Sequence, residues 1–220
     1  MKRKVHHLFS ALAFAGFIFI AFGSGDDEVK DDTSIEKVAN ESISSTTKDK
    51  TENIPDQIAH LKREIASIDE GVDFSSYRNT VEATQLELVL FAAWAKTINE
   101  ALISDNTEVQ TLGKELEKKV KNIQIKEFPI LRRAYQKAIH QKLWEKNIET
   151  EVLGKKYKTI QFTGGYFANN GNKSQTQETL SEALKMFRFT KVNYKWYKYD
   201  DEYTYYEMDS PNDSELMSFK

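Results

Sequence analysis

The side chains best suited to binding or catalysis lie near the C-terminus, where aromatic residues and lysines are interleaved. Eight of the 18 residues from Phe189 to Tyr206 are aromatic. Their alternation with polar residues predicts two strands, over 189–199 and 202–208. Successive side chains of a strand point to opposite faces, so we expect Tyr194 and Trp196 to pack inward while other rings remain on the outer face.

This outer face is a candidate binding surface, and it consists of Lys195, Tyr197, Tyr199, Tyr203 and Tyr205. Exposed Tyr side chains beside Lys are typical of protein contacts and can also stack on sugars. An alternative is that the rings pair across the two strands and only stabilise a short hairpin. Single-stranded nucleic acid is also bound by interleaved Lys and aromatic residues. The formal net charge of −3 and the expected location outside the cytoplasm oppose that interpretation.

Recognisable catalytic patterns do not accompany this surface. His60 and His140 have no Ser, Asp or Glu partner at a known spacing, and the sequence contains no phosphate-binding glycine loop, HExxH helix or EF-hand loop. The remaining nominees are the carboxylates Asp200, Asp201 and Glu207. Adjacent acids in a turn usually serve turn geometry and solubility. We therefore predict a protein that is not an enzyme and has neither a cofactor nor a metal site.

Residues 1–23 have the pattern of a targeting segment. Basic residues precede an essentially apolar run from Leu8 to Phe22, and polar residues follow it. The pattern predicts either a signal peptide cleaved before Ser24 or an uncleaved membrane anchor from about Val5 to Gly23. In both cases we expect the rest of the chain to cross the cytoplasmic membrane and to be periplasmic or membrane-anchored outside the cytoplasm. Because the chain has no cysteine, disulfides and a lipidated cysteine anchor are excluded.

Residues 24–53 are predicted to be a disordered acidic tether. This stretch contains nine acidic residues, four lysines and no aromatic residue. Such a composition cannot bury enough apolar surface to offset the entropy lost on ordering. Folded structure should therefore begin near Ile54.

Residues 54–154 are predicted to be helical, because apolar residues recur at spacings of 3 and 4. We expect the segment from Tyr77 to Ile103 to be a central core helix. A short connection joins it to another long helix, so the two should be antiparallel neighbours. Pro129 predicts a kink or a fresh helix in the following segment, with Gly154 as its end.

Residues 155–209 are predicted to form an aromatic-rich β-α-β-β region, with a strand over 157–162 and a helix over 174–187 ahead of the two C-terminal strands. We expect this region to form one domain with 54–154, and residues 210–220 to be a flexible tail. The predicted fold class is α+β: an antiparallel bundle of three to four helices with a long hairpin, packed with a small antiparallel sheet.

These features together predict a non-enzymatic protein of the cell envelope, exported or membrane-anchored, that acts through protein–protein contacts. The alternative is a ligand-binding module that holds a glycan or cell-wall fragment on the aromatic sheet face. The N-terminal segment is expected to contact the membrane if it is uncleaved, and no nucleic-acid partner is expected. The sequence does not identify the protein partner.

Overall fold

Three helices form the first part of the structure, a computed structural model that describes residues 53–196 and 203–217. Thr80 caps the second helix and Asn106 caps the third, each by accepting hydrogen bonds from backbone N–H groups of the first turn. Such caps satisfy N–H groups that have no partner inside the helix. The three helices are α1 (Ile54–Glu70), α2 (Val81–Leu102) and α3 (Thr107–Trp144).

The α2–α3 hairpin is antiparallel, as the short connection predicts. The Phe91 ring on α2 stacks on Phe128 of α3 with centroids 5.6 Å apart. Further along the pair, Lys142 Nζ donates to Glu82 Oε1 at 2.9 Å. Phe91 and Trp94 are buried, which confirms the predicted core helix. However, α3 contacts α1, α2 and the sheet, so α3 rather than α2 joins the two layers of the fold.

Pro129 lies inside α3 without dividing it, so the predicted alternative of a fresh helix starting at Pro129 is wrong. Proline cannot donate the helical hydrogen bond to residue 125, so the helix must be held by its packing. Phe128 and Leu131, on either side of the proline, are fully buried. Ile125 and Ile130 lie on the exposed side. The core contacts on one face therefore offset the missing hydrogen bond.

A four-stranded sheet forms the second layer of the described residues, in the order β1-β2-β3-β4. The two outer pairs are antiparallel, whereas the central pair, β2 and β3, is parallel. A helix crosses between these two central strands and returns the chain to the same end of the sheet, which makes them parallel. The elements are β1 (Ile148–Leu153), β2 (Thr159–Gly164), α4 (Asn170–Met186), β3 (Lys191–Trp196) and β4 (Tyr203–Glu207).

The predicted α+β class is confirmed, but the sheet differs from the prediction in two details. It is mixed rather than antiparallel, and β1 is an additional strand in a region predicted to be helical. The chain leaves α3 after Trp144 and turns at Asn147, which has a positive φ of 58°. Gly154, the predicted helix end, instead follows β1.

The C-terminal arm, residues 210–217, is bound to the domain, which differs from the predicted flexible tail over 210–220. Arg132 forms a bidentate ion pair with Asp213, and both N–O distances are 3.2 Å. Arg188 donates to two backbone carbonyl groups of the arm, each at 2.8 Å. Both arginines and Asp213 are buried. Buried charges need such partners, and a polar sequence alone does not reveal them.

The predicted targeting segment (residues 1–23) and the predicted acidic tether (residues 24–53) lie outside the described part of the chain, except for residue 53. Within 53–196 and 203–217, none of the helices combines the length and the apolar character needed to cross a membrane.

Candidate functional site

The inward and outward faces of β3 follow the alternation of its sequence. Val192, Tyr194 and Trp196 are buried, as predicted for the inner face. Lys191 and Lys195, which lie at alternate positions on the same strand, are partly exposed on the outer face. A single register therefore places apolar rings in the core and two lysines on the surface.

The adjacent strand β4 places two tyrosines beside these lysines. Tyr203 pairs directly with Lys195, and Tyr205 lies opposite Asn193. We refer to the surface formed by Lys191, Lys195, Tyr203 and Tyr205 as the tyrosine–lysine face. Tyr203 is 45% exposed and Tyr205 is 61% exposed, so both rings are accessible to a partner.

Each tyrosine ring of this face is covered by one lysine ammonium group. Lys195 Nζ lies 5.3 Å from the Tyr203 ring centroid, and Lys191 Nζ lies 5.3 Å from that of Tyr205. The two rings are 6.4 Å apart and inclined by only 24°. Cation–π contacts at exposed sites contribute about 0.5–1 kcal/mol. They order the side chains but are weak enough for a binding partner to displace them.

Polar side chains continue from the tyrosine–lysine face across the rest of the sheet. Gln161 and Asn193 share a cross-strand row with Tyr205, and Glu151 completes that row on β1. Gln161 Nε2 donates to Glu151 Oε1 at 2.6 Å. The Oδ1 atom of Asn193 is shielded from solvent and accepts no hydrogen bond from the described residues. Because solvent does not reach this oxygen, it is not available to a ligand in this conformation.

The structure brings together three of the five residues in the predicted surface. Lys195, Tyr203 and Tyr205 lie on one face, whereas Tyr197 and Tyr199 lie outside the described residues. Lys191 was not among the predicted residues. Its separation of four from Lys195 along one strand places it on the same face, so the signal was present in the sequence.

The residues nominated for chemistry have ordinary structural surroundings. His140 Nδ1 accepts a hydrogen bond from Thr150 N at 3.2 Å, which fixes the start of β1 against α3. Glu207 is exposed and lies 3.7 Å from Lys191 Nζ. Asp200 and Asp201 are outside the described residues. Within the described ranges there is no group of three or more His, Cys, Asp or Glu side chains that could hold a metal ion.

Glu87 is a buried carboxyl group with a raised pKa. Burial, together with the nearby carboxylate of Glu127, raises the pKa of Glu87 to about 8, although Arg78 opposes the shift. Arg78 Nε lies 3.8 Å from Glu87 Oε2, and the same guanidinium forms an ion pair with Glu127. Glu87 is completely buried between α2 and α3. A group that solvent does not reach cannot touch a substrate in this conformation, so we interpret Glu87 as an internal carboxyl group that is protonated at neutral pH.

Comparison of the chain with protein-family models, with curated proteins and with solved structures found no match.

Proposed function

We propose that this chain is a non-enzymatic protein of the cell envelope that acts through protein–protein contacts, with the tyrosine–lysine face as its contact surface. The observation that carries this proposal is the exposure of Tyr203 and Tyr205 on a strand whose neighbour, β3, buries its own aromatic rings. Tyrosine is enriched at protein interfaces because it combines a large apolar surface with a polar hydroxyl group.

The position of β4 in the sheet also supports a protein partner. It is an edge strand of the described sheet, and all five of its residues are exposed. An exposed edge presents unpaired backbone groups that can bind an extended segment of another chain. The lysines beside the tyrosines add charge complementarity for a partner with acidic side chains.

The compartment is part of the proposal and rests on the N-terminal sequence. A basic start followed by an apolar run from Leu8 to Phe22 directs the chain across the cytoplasmic membrane. A protease-accessibility assay on intact cells and on permeabilised cells tests this point. Digestion only after the cytoplasmic membrane is ruptured contradicts export.

Site-specific photocrosslinking of the full chain tests the contact surface. A photoreactive phenylalanine analogue replaces Tyr205, and the matched control carries it at Ile103, which is 83% exposed between α2 and α3. We expect a discrete protein adduct from position 205, lost when Tyr203→Ser is added, and no such adduct from position 103. Equal adducts from both positions, or none from position 205, contradict the proposal.

A glycan on the same face is the second candidate, favoured by the two exposed and nearly parallel tyrosine rings. Such aromatic faces can stack on a bound sugar. Isothermal titration calorimetry with envelope oligosaccharides tests this candidate. The fluorescence of Trp196 is not suitable, because this side chain is buried on the inner face and cannot report on the tyrosine–lysine face. Heat that is lost in Tyr203→Ser/Tyr205→Ser supports a glycan. A titration that releases no binding heat contradicts a glycan ligand and leaves a protein as the proposed partner of the tyrosine–lysine face.

A further inference from the structure

Three basic side chains meet beneath the C-terminal arm. Arg132 of α3 and Arg188, which precedes β3, are 0% and 1% exposed. Both guanidinium groups lie against the Phe128 ring, at 5.9 and 4.3 Å from its centroid. Lys158 Nζ lies 3.7 Å from Asp213 Oδ2, on the same carboxylate that Arg132 binds. We call Arg132, Lys158 and Arg188 the basic cluster.

The arm does not neutralise the basic cluster. Asp213 is the buried counter-charge, whereas Glu215, the second acid of the arm that acts on Arg188, is exposed. Three positive charges therefore face two negative ones. Burial, together with the charge of Arg132, lowers the pKa of Arg188 to about 10, although the two acids oppose the shift. An excess of buried positive charge is unfavourable and favours an anion that carries more than one charge.

The fold outside the arm orients both arginines. Arg132 donates from Nε and Nη2 to the Lys156 carbonyl oxygen at 3.0 and 2.8 Å, and from Nη1 to that of Phe187 at 3.3 Å. Lys156 and Arg188 have positive φ values of 60° and 59°, a conformation that costs free energy for residues other than glycine. Such positions persist where the surroundings enforce them, and they occur often at ligand clamps. The basic cluster is therefore preorganised without the arm.

The arm itself is held through side chains. Within the described part of the chain, residues 210–217 form no backbone-to-backbone hydrogen bond to any other segment. Their attachments include the Asp213 carboxylate, two carbonyl oxygens bound by Arg188, and the buried Met217 side chain. Release of the arm would therefore break no pairing of the sheet, and its contacts are of the kind that hold a bound peptide.

We propose that the basic cluster is a binding site for a phosphate group, and that the C-terminal arm closes this site by placing the Asp213 carboxylate in it. Guanidinium groups bind carboxylate and phosphate oxygens with the same paired geometry, so a carboxylate held in this way marks a position that phosphate also fits. Phosphate is favoured over another carboxylate, because a dianion matches the excess positive charge more closely. This inference is independent of the partner assigned to the tyrosine–lysine face.

Limited proteolysis of the full chain tests the proposal, because a phosphate that enters the site must release the arm. A glutamate-specific protease cleaves after Glu215, and mass spectrometry detects the loss of the residues beyond it. We expect inorganic phosphate to accelerate this cleavage at millimolar concentrations, since a tethered arm competes at an effective concentration on the order of millimolar. Sodium chloride of equal ionic strength should not accelerate it. Equal cleavage in the two salts overturns the proposal and leaves the arm as a purely structural element.

Titration calorimetry with inorganic phosphate locates the site. Asp213→Ala should bind phosphate about tenfold more tightly than wild type, because only arm-free molecules of wild type expose the site. Lys158→Gln alters a side chain that is 31% exposed, so this variant should fold and bind phosphate more weakly, whereas the exposed control Lys96→Gln should bind as wild type does. Circular dichroism checks folding. Equal affinity of wild type and folded Asp213→Ala overturns the proposal, as does equal affinity of the two lysine variants.

The source of the phosphate group is distinguished in the same proteolysis assay. Acceleration by glycerol phosphate indicates a soluble phosphate ester. Acceleration by vesicles of phosphatidylcholine with phosphatidic acid, but not by phosphatidylcholine alone or by glycerol phosphate, indicates a lipid headgroup. Acceleration by inorganic phosphate alone indicates the free ion as the ligand.

Discussion

The helical region and the C-terminal region differ in the aromatic side chains that they expose. In the helical region, Phe91 and Phe128 are packed together with Phe74 of the α1–α2 connection, while ion pairs of Lys and Glu lie on the surface. Beyond residue 147, Tyr203 and Tyr205 stand on the surface, although Tyr194 is buried. From this difference we expect the helical core to supply much of the stability, and we propose the exposed face of the sheet as the contact surface.

The largest effect should come from the aromatic cluster of the helical region. Phe91→Ala removes a fully buried ring that touches Phe74, Trp94 and Phe128. The cavity should reduce the free energy of unfolding by about 3–5 kcal/mol. Denaturant unfolding of the full chain measures this loss, with Ile103→Ala as the exposed control. An unchanged midpoint for Phe91→Ala contradicts the assignment of stability to the helices.

The next largest effect concerns the buried charges of the C-terminal region. Asp213→Asn keeps the shape of the side chain but leaves the Arg132 guanidinium without its counter-charge. Removing one partner of a buried ion pair costs about 3 kcal/mol or more, and we expect the arm to detach. Limited proteolysis should then cleave residues 210–217 faster. Asp209→Asn, an exposed neighbour, is the control, and equal cleavage of both variants would show that the pair does not hold the arm.

The pH dependence of the free energy of unfolding tests the buried Glu87 of the helical region separately from the Arg132–Asp213 pair that holds the arm. The pKa of Glu87 is raised to about 8, so between pH 4.5 and 8 the carboxyl is protonated in the folded chain and ionised in the unfolded one. The stability from this group is therefore present at low pH and is lost as pH rises through 8. The slope is at most about 1.4 kcal/mol per pH unit.

Glu87→Gln should remove this slope, because an amide takes up no proton. The difference in unfolding free energy between Glu87→Gln and wild type should increase from pH 5 to pH 8 and level off above it. The control is Glu82→Gln, since a hydrogen bond from Lys142 lowers the pKa of Glu82 and moves its titration to acid pH. Parallel curves for Glu87→Gln and wild type would show that the buried carboxyl is ionised throughout.

The sequence predicts those features that depend on periodic apolar residues. The α2–α3 hairpin, the buried Phe91 and the inward faces of Tyr194 and Trp196 all follow from spacings of 3, 4 or 2. Their burial is decided by contacts along a regular element, which a pattern records. The α+β class follows from the same patterns.

Features that depend on long-range partners could not be predicted in this way. The parallel pairing of β2 with β3 depends on the path of α4, and the bound arm depends on Arg132, 81 residues away from Asp213. The continuity of α3 through Pro129 depends on the packing of Phe128. For the candidate surface, β alternation identified Lys195, Tyr203 and Tyr205 and also places Lys191 on their face, but the contact of Lys191 with the Tyr205 ring depends on the register with β4.

The smallest effect on stability should come from the tyrosine–lysine face, and it tests the central claim most directly. In Tyr203→Ser/Tyr205→Ser, we predict a loss of unfolding free energy of about 1–2 kcal/mol, because the variant removes two exposed cation–π contacts of about 0.5–1 kcal/mol each. A photoreactive residue at position 207 should form a protein adduct in the otherwise wild-type chain. This adduct should be lost when the same residue is placed in the double variant. An adduct that persists on the folded double variant, or a loss of stability as large as that of Phe91→Ala, would contradict a contact surface on this face.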